Sequence, residues 1–305
     1  MKCLICYEDC DSDYHESCLH SFFSSKRVPF IEYTLDELHE LSKKVLKSKA
    51  TIPGVQPKLS LHIDESSSNR LTIIGFKGDY ILKPPTKQFR KLPENEDVTM
   101  HLAKACKLKT VPHILIKLKS GELCYVTKRI DRLANTKIHM EDFCQILERL
   151  TEDKYKGSME KIGKAILKHS NLKGIDLIEF FERAVFSYLV GNSDMHLKNF
   201  SLIGNDEGYS LSPAYDLVSV KLAMPKDSEE MALPLNGKKN NLNISDFITF
   251  AQVIGIPYKS VLNSFEKFKG KKQELIEIVQ KSFLSESSKK KYTEIIKERY
   301  NLFDL

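Results

Sequence analysis

The apolar residues of this 305-residue chain place most strand-like alternation before residue 130 and mainly helical spacing beyond residue 140, which restricts the chain to a sheet-containing part followed by a mostly helical part. LSLHID (59–64) alternates as a strand does, ESSSN (65–69) is turn material, and RLTIIGF (70–76) forms a second strand. KGD (77–79) makes a second turn, and YILKP (80–84) a third strand stopped by proline. Three strands joined by short turns predict an antiparallel meander. ENEDVTMHLAKACKL (94–108) places Val98, Leu102, Ala105 and Cys106 at helical spacing. HILIKLK (113–119) and LCYVTKRI (123–130) then predict a hairpin turning at Ser120–Gly121. Beyond residue 140 the pattern is mainly helical. IDLIEFFERAVFSYLV (175–190) is strongly apolar and stops at Gly191, a natural helix end. Upstream, TLDELHELSKKVL (34–46) reads as an amphipathic helix with Thr34 as its N-cap. The expected class is α+β. A Cys-rich and helical segment spans 1–50, a small antiparallel-sheet lobe 51–132, and a larger, mostly helical lobe 133–305. Ligands favour the cleft between two such lobes.

The chemistry concentrates in GNSDMHLKN (191–199), where Asp194 and Asn199 have the spacing D-x-x-x-x-N. That is the spacing of a kinase catalytic loop, in which the Asp takes or orients the proton of the acceptor hydroxyl and the Asn holds a metal. The spacing alone is common. Its context adds weight, because FSLIG (200–204), NDEG (205–208) and YSLS (209–212) predict a hairpin leading straight to AYDL (214–217). The hairpin returns Asp216 beside the loop, as a second metal-binding carboxylate. The competing account makes Asn192, Asp194 and Asp216 turn formers and caps. In the sheet part, TIPGVQPK (51–58) carries Gly54, which would allow close approach of backbone to a phosphate, but it is not a GxxxxGK[ST] loop. Lys83 ends the third strand and could reach nucleotide phosphates. Glu94 and Glu96 open the next helix, and either could hold that lysine.

Taken in order, TIPGVQPK (51–58), YILKP (80–84), PENE (93–96), KRIDR (128–132), GNSDMHLKNFSL (191–202), PAYDLVSV (213–220) and ALPL (232–235) resemble the HipA-like serine/threonine kinase toxins. The resemblance implies a two-lobed protein-kinase-like fold of the HipA type. It is nearest to the short-form HipT toxins of three-gene HipBST modules, since only 50 residues precede the Gly-rich loop, too few for the first subdomain of HipA. It implies roles as well. Asp194 would be the catalytic base. His196, Lys198 and Asn199 would line the phosphate and metal site, and Asp216 would bind Mg²⁺. Lys83 would hold the phosphates of ATP. Pro53, Gly54, Val55, Gln56, Pro57 and Lys58 would cover the nucleotide, and Lys128, Arg129 and Ile130 would face adenine. The family's targets are aminoacyl-tRNA synthetases, and its partners are a HipS-like small antitoxin and a HipB-like DNA-binding antitoxin. Family members autophosphorylate at a serine opening the Gly-rich loop. Thr51 holds that position here, while Pro53 replaces a second serine of HipT and cannot accept phosphate. A phosphate at Thr51 adds about −1.5 to −2 charge, which would repel ATP or draw the loop away. The same cleft chemistry would also serve a small-molecule or lipid kinase, or survive in an inactive antitoxin-binding module.

Four of the seven cysteines fall in the first 18 residues. Cys3 and Cys6 form C-x-x-C, and His15 and Cys18 form H-x-x-C after eight intervening residues, a set suited to tetrahedral Zn²⁺ with Cys10 to spare. Free thiols are the alternative. Cys106, Cys124 and Cys144 sit among apolar residues and are expected in the core. The net charge of +6 suits an acidic ligand without demanding nucleic acid. The basic stretches FEKFKGKK (265–272) and SSKKKY (287–292) read as solvated helix surface. The N-terminus lacks an apolar signal-peptide core and no run would span a bilayer, so a soluble, cytoplasmic protein is expected.

Overall fold

The computed structural model describes residues 1–47, 56–64, 70–73, 78–133 and 136–303. They divide into two compact units. The first holds Met1–Asp97, Val111–Ile130 and Lys281–Leu284; the second holds Val98–Thr110, Asp131–Gln280 and Ser285–Leu305.

In the first unit, α1 (Glu16–Phe23) and α2 (Leu35–Lys47) precede a sheet of β1 (Leu59–Asp64), β2 (Arg70–Ile73), β3 (Tyr80–Lys83), β4 (His113–Lys117) and β5 (Leu123–Lys128). The Thr34 expectation holds, because Glu37 N–H donates to Thr34 Oγ1 at 3.4 Å and Thr34 N–H donates back to Glu37 Oε2 at 2.8 Å, a capping box. The hairpin of β4 and β5 also forms, with Leu115 opposite Tyr125. The meander does not. The strand order is β2-β1-β3-β5-β4, so β3 pairs with β1 and not with β2. Gly78 explains the difference. A Cβ there would lie 2.3 Å from the Leu61 carbonyl oxygen, and its N–H donates to Ser60 Oγ at 3.0 Å. Only a glycine lets the chain pass that close and enter the sheet on the far side of β1, setting Leu59 opposite Leu82. The alternation of β1 buries Leu59 and Leu61 and leaves His62 exposed. Leu71, Leu82, Ile114 and Val126 join them in one core with Leu4, Leu19 and Phe22 from the N-terminal segment.

Helix α3 (Leu92–Ala105) begins in the first unit and ends in the second. The second unit continues with a ribbon of β6 (Arg132–Leu133) and β7 (Thr136–Lys137), and a three-stranded sheet ordered β10 (Gly208–Leu211), β9 (Ser201–Asn205), β8 (Met140–Asp142). The rest is helical: α4 (Phe143–Ile146), α5 (Met159–His169), α6 (Lys173–Leu189), α7 (Val220–Ala223), α8 (Ile244–Val253), α9 (Tyr258–Lys269), α10 (Lys272–Lys281) and α11 (Glu286–Leu302). Helix α6 is buried along nearly its whole length, with Phe180, Phe181, Val185, Phe186 and Leu189 in the core. Its Arg183, 1% exposed, donates to Glu179 at 2.5 Å and to the Ser212 carbonyl at 2.6 Å. The Glu179 bond orients the guanidinium within the helix, and the Ser212 bond ties the helix to the segment entering Asp216. No described helix is long and apolar enough to cross a membrane.

Candidate active site

The predicted site residues fall on both units, and each group is built locally. In the first unit β3 ends at Lys83 and α3 begins nine residues later. Lys83 Nζ meets Glu96 Oε1 at 2.5 Å, and both side chains are 4% exposed. Glu94 sits two positions away, on the opposite side of the helix, and its Oε1 accepts from Lys91 at 2.7 Å. The structure thus chooses between the two glutamates that the sequence left open: Glu96 holds the lysine. Burial raises the Glu94 carboxyl above its ordinary pKa, against the pull of Lys91. The Lys83 ammonium lies 5.4 Å from the centre of the Tyr125 ring, and Tyr125 stacks on His113 at 5.6 Å. His113 in turn meets Asp97 Oδ1 at 2.9 Å, and Tyr7 Oη donates to Asp97 Oδ2 at 2.5 Å. Asp97 is therefore held from two sides beside Glu96, at the start of the helix.

Of the Gly-rich loop, Thr51, Pro53, Gly54 and Val55 lie outside the described residues. Gln56 donates from Nε2 to the Pro84 carbonyl at 3.0 Å, which fastens the end of that loop beside Lys83. Pro57 and Lys58 follow it into β1. Lys128 closes β5, its N–H donating to the Pro112 carbonyl at 3.0 Å, and Arg129 N–H donates to the Asp79 carbonyl at 2.8 Å. Ile130 is the last residue of this part of the unit.

In the second unit α6 ends at Leu189, and Gly191, two residues on, has a φ of 66°, the left-handed conformation that stops helices. A Cβ there would also lie 2.9 Å from the Lys221 Cβ. The loop then folds on itself. Asp194 N–H donates to Asn192 Oδ1 at 3.2 Å, and His196 N–H to the Asp194 carbonyl at 2.8 Å and to Asn199 Oδ1 at 3.2 Å. Asn192 and Asn199 are buried, and Asp194 is half-buried. The spacing of four residues between Asp194 and Asn199 is that of one short turn closed by His196. Lys198 is not a free cation, since its ammonium meets Asp142 Oδ2 at 2.6 Å.

Two residues that the sequence did not single out complete this group. Tyr155 Oη donates to Asp194 Oδ1 at 2.6 Å, and its ring stands edge-on to His196 at 5.1 Å. Burial first, then the Asp194 bond and charge, push the Tyr155 hydroxyl well above the usual tyrosine pKa, so it remains a donor. Tyr215 Oη donates to the Lys198 carbonyl at 3.0 Å and lies 2.5 Å from Ser201 Oγ. Its neighbour Asp216 follows the β9–β10 hairpin in the chain and adopts a left-handed φ of 56°. Aspartate is among the residues that tolerate this conformation, and here it fixes the direction in which the chain leaves the loop. Asn199 and Asp216 supply amide and carboxylate oxygens, the donor chemistry of a hard cation such as Mg²⁺.

The N-terminal set is also assembled. Cys3, Cys6, His15 and Cys18 bring their ligand atoms within 4.8 Å of one another, and Cys10 is not among them. Burial opposes ionisation of Cys3, but N–H groups of His15, Ile5 and Cys6 directed at its sulfur outweigh it and hold the thiol at about 7. Cys106, Cys124 and Cys144 are buried free thiols, as expected of core residues.

The chain matches the family of HipA-like C-terminal domains over residues 50–283. It is 37% identical over 184 residues to Y4dM of Sinorhizobium fredii, whose name marks it as a candidate kinase, across 55% of this chain and 44% of that protein. It is 24% identical over 255 residues to the serine/threonine-protein kinase toxin HipA of Shewanella oneidensis, across 72% of this chain and 55% of that protein. This chain spans about half the length of these relatives. Among solved structures it is similar to a chain from the complex of Shewanella oneidensis HipA, HipB and operator DNA. The TM-score is 0.70 at 21% identity, over 84% of this chain and 65% of that one. The likeness establishes a shared fold, with an antiparallel sheet and a larger helical part.

Proposed function

The chain belongs to the HipA-like C-terminal domain family, and we propose that it is an ATP-dependent protein serine/threonine kinase, the toxin of a bacterial toxin–antitoxin module. The observation that carries this reading is the Lys83–Glu96 pair, 2.5 Å apart and 4% exposed on each side. A buried ion pair is a poor source of stability, because desolvation offsets the attraction. A strand lysine oriented by a glutamate of the following helix is, in contrast, what a kinase requires to hold nucleotide phosphates.

In this reading Lys83 takes the phosphates of ATP, with Pro53 to Lys58 above the nucleotide and Lys128 to Ile130 against adenine. Asp194 accepts the proton of the substrate hydroxyl. The freed oxygen forms its bond to the γ-phosphorus as the bond to the ADP oxygen breaks. Asn199 and Asp216 would hold Mg²⁺, which when bound offsets phosphate charge, and His196 closes the turn that places Asn199. The short-form HipT grouping, a cytoplasmic location, an aminoacyl-tRNA synthetase as target, and HipS-like and HipB-like partners extend the reading by family resemblance. Thr51 is the proposed autophosphorylation site. Thr51→Asp should weaken transfer from ATP in a steady-state assay, and unchanged activity with unchanged ATP affinity would remove Thr51 from the scheme.

The deciding experiment compares phosphoproteomes after brief induction of the wild-type chain and of Asp194→Asn. Serine phosphorylation of a synthetase is expected with the wild type alone. Transfer from labelled ATP by folded Asp194→Asn at the wild-type rate would defeat the mechanism, and a phosphorylated metabolite or lipid in place of protein would redirect the substrate class.

A further inference from the structure

The proposed reaction makes no use of the first 23 residues, yet the structure gives them a specific construction. Lys2 bridges to Asp9 as a short antiparallel pair, Cys3 N–H donates to the Glu8 carbonyl at 2.9 Å, and Tyr7 N–H to the Cys3 carbonyl at 3.0 Å. The turn after Cys6 places Tyr7 at a φ of 68°. This knuckle brings Cys3 and Cys6 to the beginning of α1, where His15 is the N-cap residue and Cys18 lies on the first turn. Two pairs of soft ligands therefore meet from separate elements.

We propose that Cys3, Cys6, His15 and Cys18 bind one structural zinc ion. Tetrahedral zinc with bonds of about 2.3 Å to sulfur and about 2.0 Å to nitrogen separates a sulfur and a nitrogen ligand by about 3.5 Å. The His15 Nδ1 lies 3.4 Å from Cys6 Sγ and 3.9 Å from Cys18 Sγ. The outer shell agrees. His15 Nε2 is 3.0 Å from the Asp9 carbonyl, which can only accept, so Nε2 carries the proton and Nδ1 turns its lone pair to the sulfurs. The His15 backbone N–H points at Cys3 Sγ, 3.5 Å away. Cys3 is fully buried, which shields the cluster on one side.

The ion gives this segment what its size denies it. Its only helix has eight residues, and a piece this short rarely keeps a fold without a cross-link or metal. It also has a structure to support. Tyr14 Oη donates to the Leu115 carbonyl at 3.0 Å, Asp13 pairs with Lys117 at 2.5 Å, and Leu4, Leu19 and Phe22 complete the core under the sheet. Tyr7, next to Cys6, donates to Asp97 beside Glu96. The zinc knuckle thus braces the turn of α3 that carries the partner of Lys83.

Metal analysis and zinc-edge X-ray absorption on full-length protein, purified reduced and without chelator, test the site. About one zinc per chain, with a first shell of three sulfurs and one nitrogen, is expected. Cys10→Ser should keep the metal, and Cys18→His, which exchanges one zinc ligand for another, should keep it with two sulfurs and two nitrogens. Chelation should lower the melting temperature of the wild type. Less than about half an equivalent, iron in place of zinc, or a shell without the three sulfurs would overturn the proposal. Because absorption is read on the wild type, the test survives a variant that fails to fold, and it is independent of kinase activity.

Discussion

At the scale of single residues, the Tyr155–Asp194 bond separates positioning from chemistry. Tyr155 Oη occupies one carboxylate oxygen at 2.6 Å, and Asp194 N–H donates to Asn192, so the residue is held at both its side chain and its backbone. A bond to a charged acceptor contributes about 1.5–3 kcal/mol when fully realised, and less where the tyrosine is 43% exposed. Tyr155→Phe should therefore lower kcat by roughly three- to tenfold, about 0.6–1.4 kcal/mol of barrier, with the KM for ATP unchanged. Steady-state transfer from labelled ATP measures both constants. A loss as deep as that of Asp194→Asn would put Tyr155 in the chemical step itself. The sequence made Asp194 and Asn199 legible because both lie on one short turn. It was silent on Tyr155, which lies 39 residues away in sequence and sits beside the loop through long-range contacts such as the bond from Leu197 N–H to the Lys154 carbonyl. Glu94 and Glu96 were indistinguishable for a related reason. Helical geometry puts them on opposite faces, but only the position of β3 says which face meets Lys83.

Among the elements, β3 shows how a turn residue controls the site. Lys83 is the last residue of a strand whose place in the sheet depends on the close passage of Gly78 over β1. Gly78→Ala forces a Cβ into the Leu61 carbonyl, which is backbone and cannot rotate away. The pairing of Leu59 with Leu82 must shift, at a cost of about 1–3 kcal/mol for such overpacking. Denaturant unfolding should show this loss, and weakened nucleotide binding should accompany it because Lys83 moves with the strand. Retained stability would show that β1 and β3 tolerate a wider spacing. Strand existence was readable from alternation and turn composition, and the β4–β5 hairpin followed from its local turn at Ser120–Gly121. Strand order was not readable, since the choice of β1 or β2 as the partner of β3 is a long-range packing decision that leaves no periodic mark. The helix of residues 175–190 was the opposite case. Its apolar run and Gly191 define both its body and its end within a single segment.

At the scale of the whole molecule, the proposed reaction requires Lys83 and Asp194 to act on the same nucleotide. A phosphate-binding lysine and a proton-accepting carboxylate that act on one nucleotide form a single functional group, whatever their separation in sequence. Groups of that kind are strongly non-additive, because once one member is lost the other has no transition state left to stabilise. Lys83→Met and Asp194→Asn should each lower kcat/KM by about 10³-fold or more, and the double variant should be no worse than the poorer single. Lys83→Met also strands the buried Glu96 carboxylate, which costs about 3–5 kcal/mol of stability in comparable pairs. Adding Glu96→Gln removes that charge, and the triple variant keeps the cycle interpretable if the first variant unfolds. Losses that multiply would mean that the two residues serve separate events, and the kinase reading of this chain would then fail at its central premise.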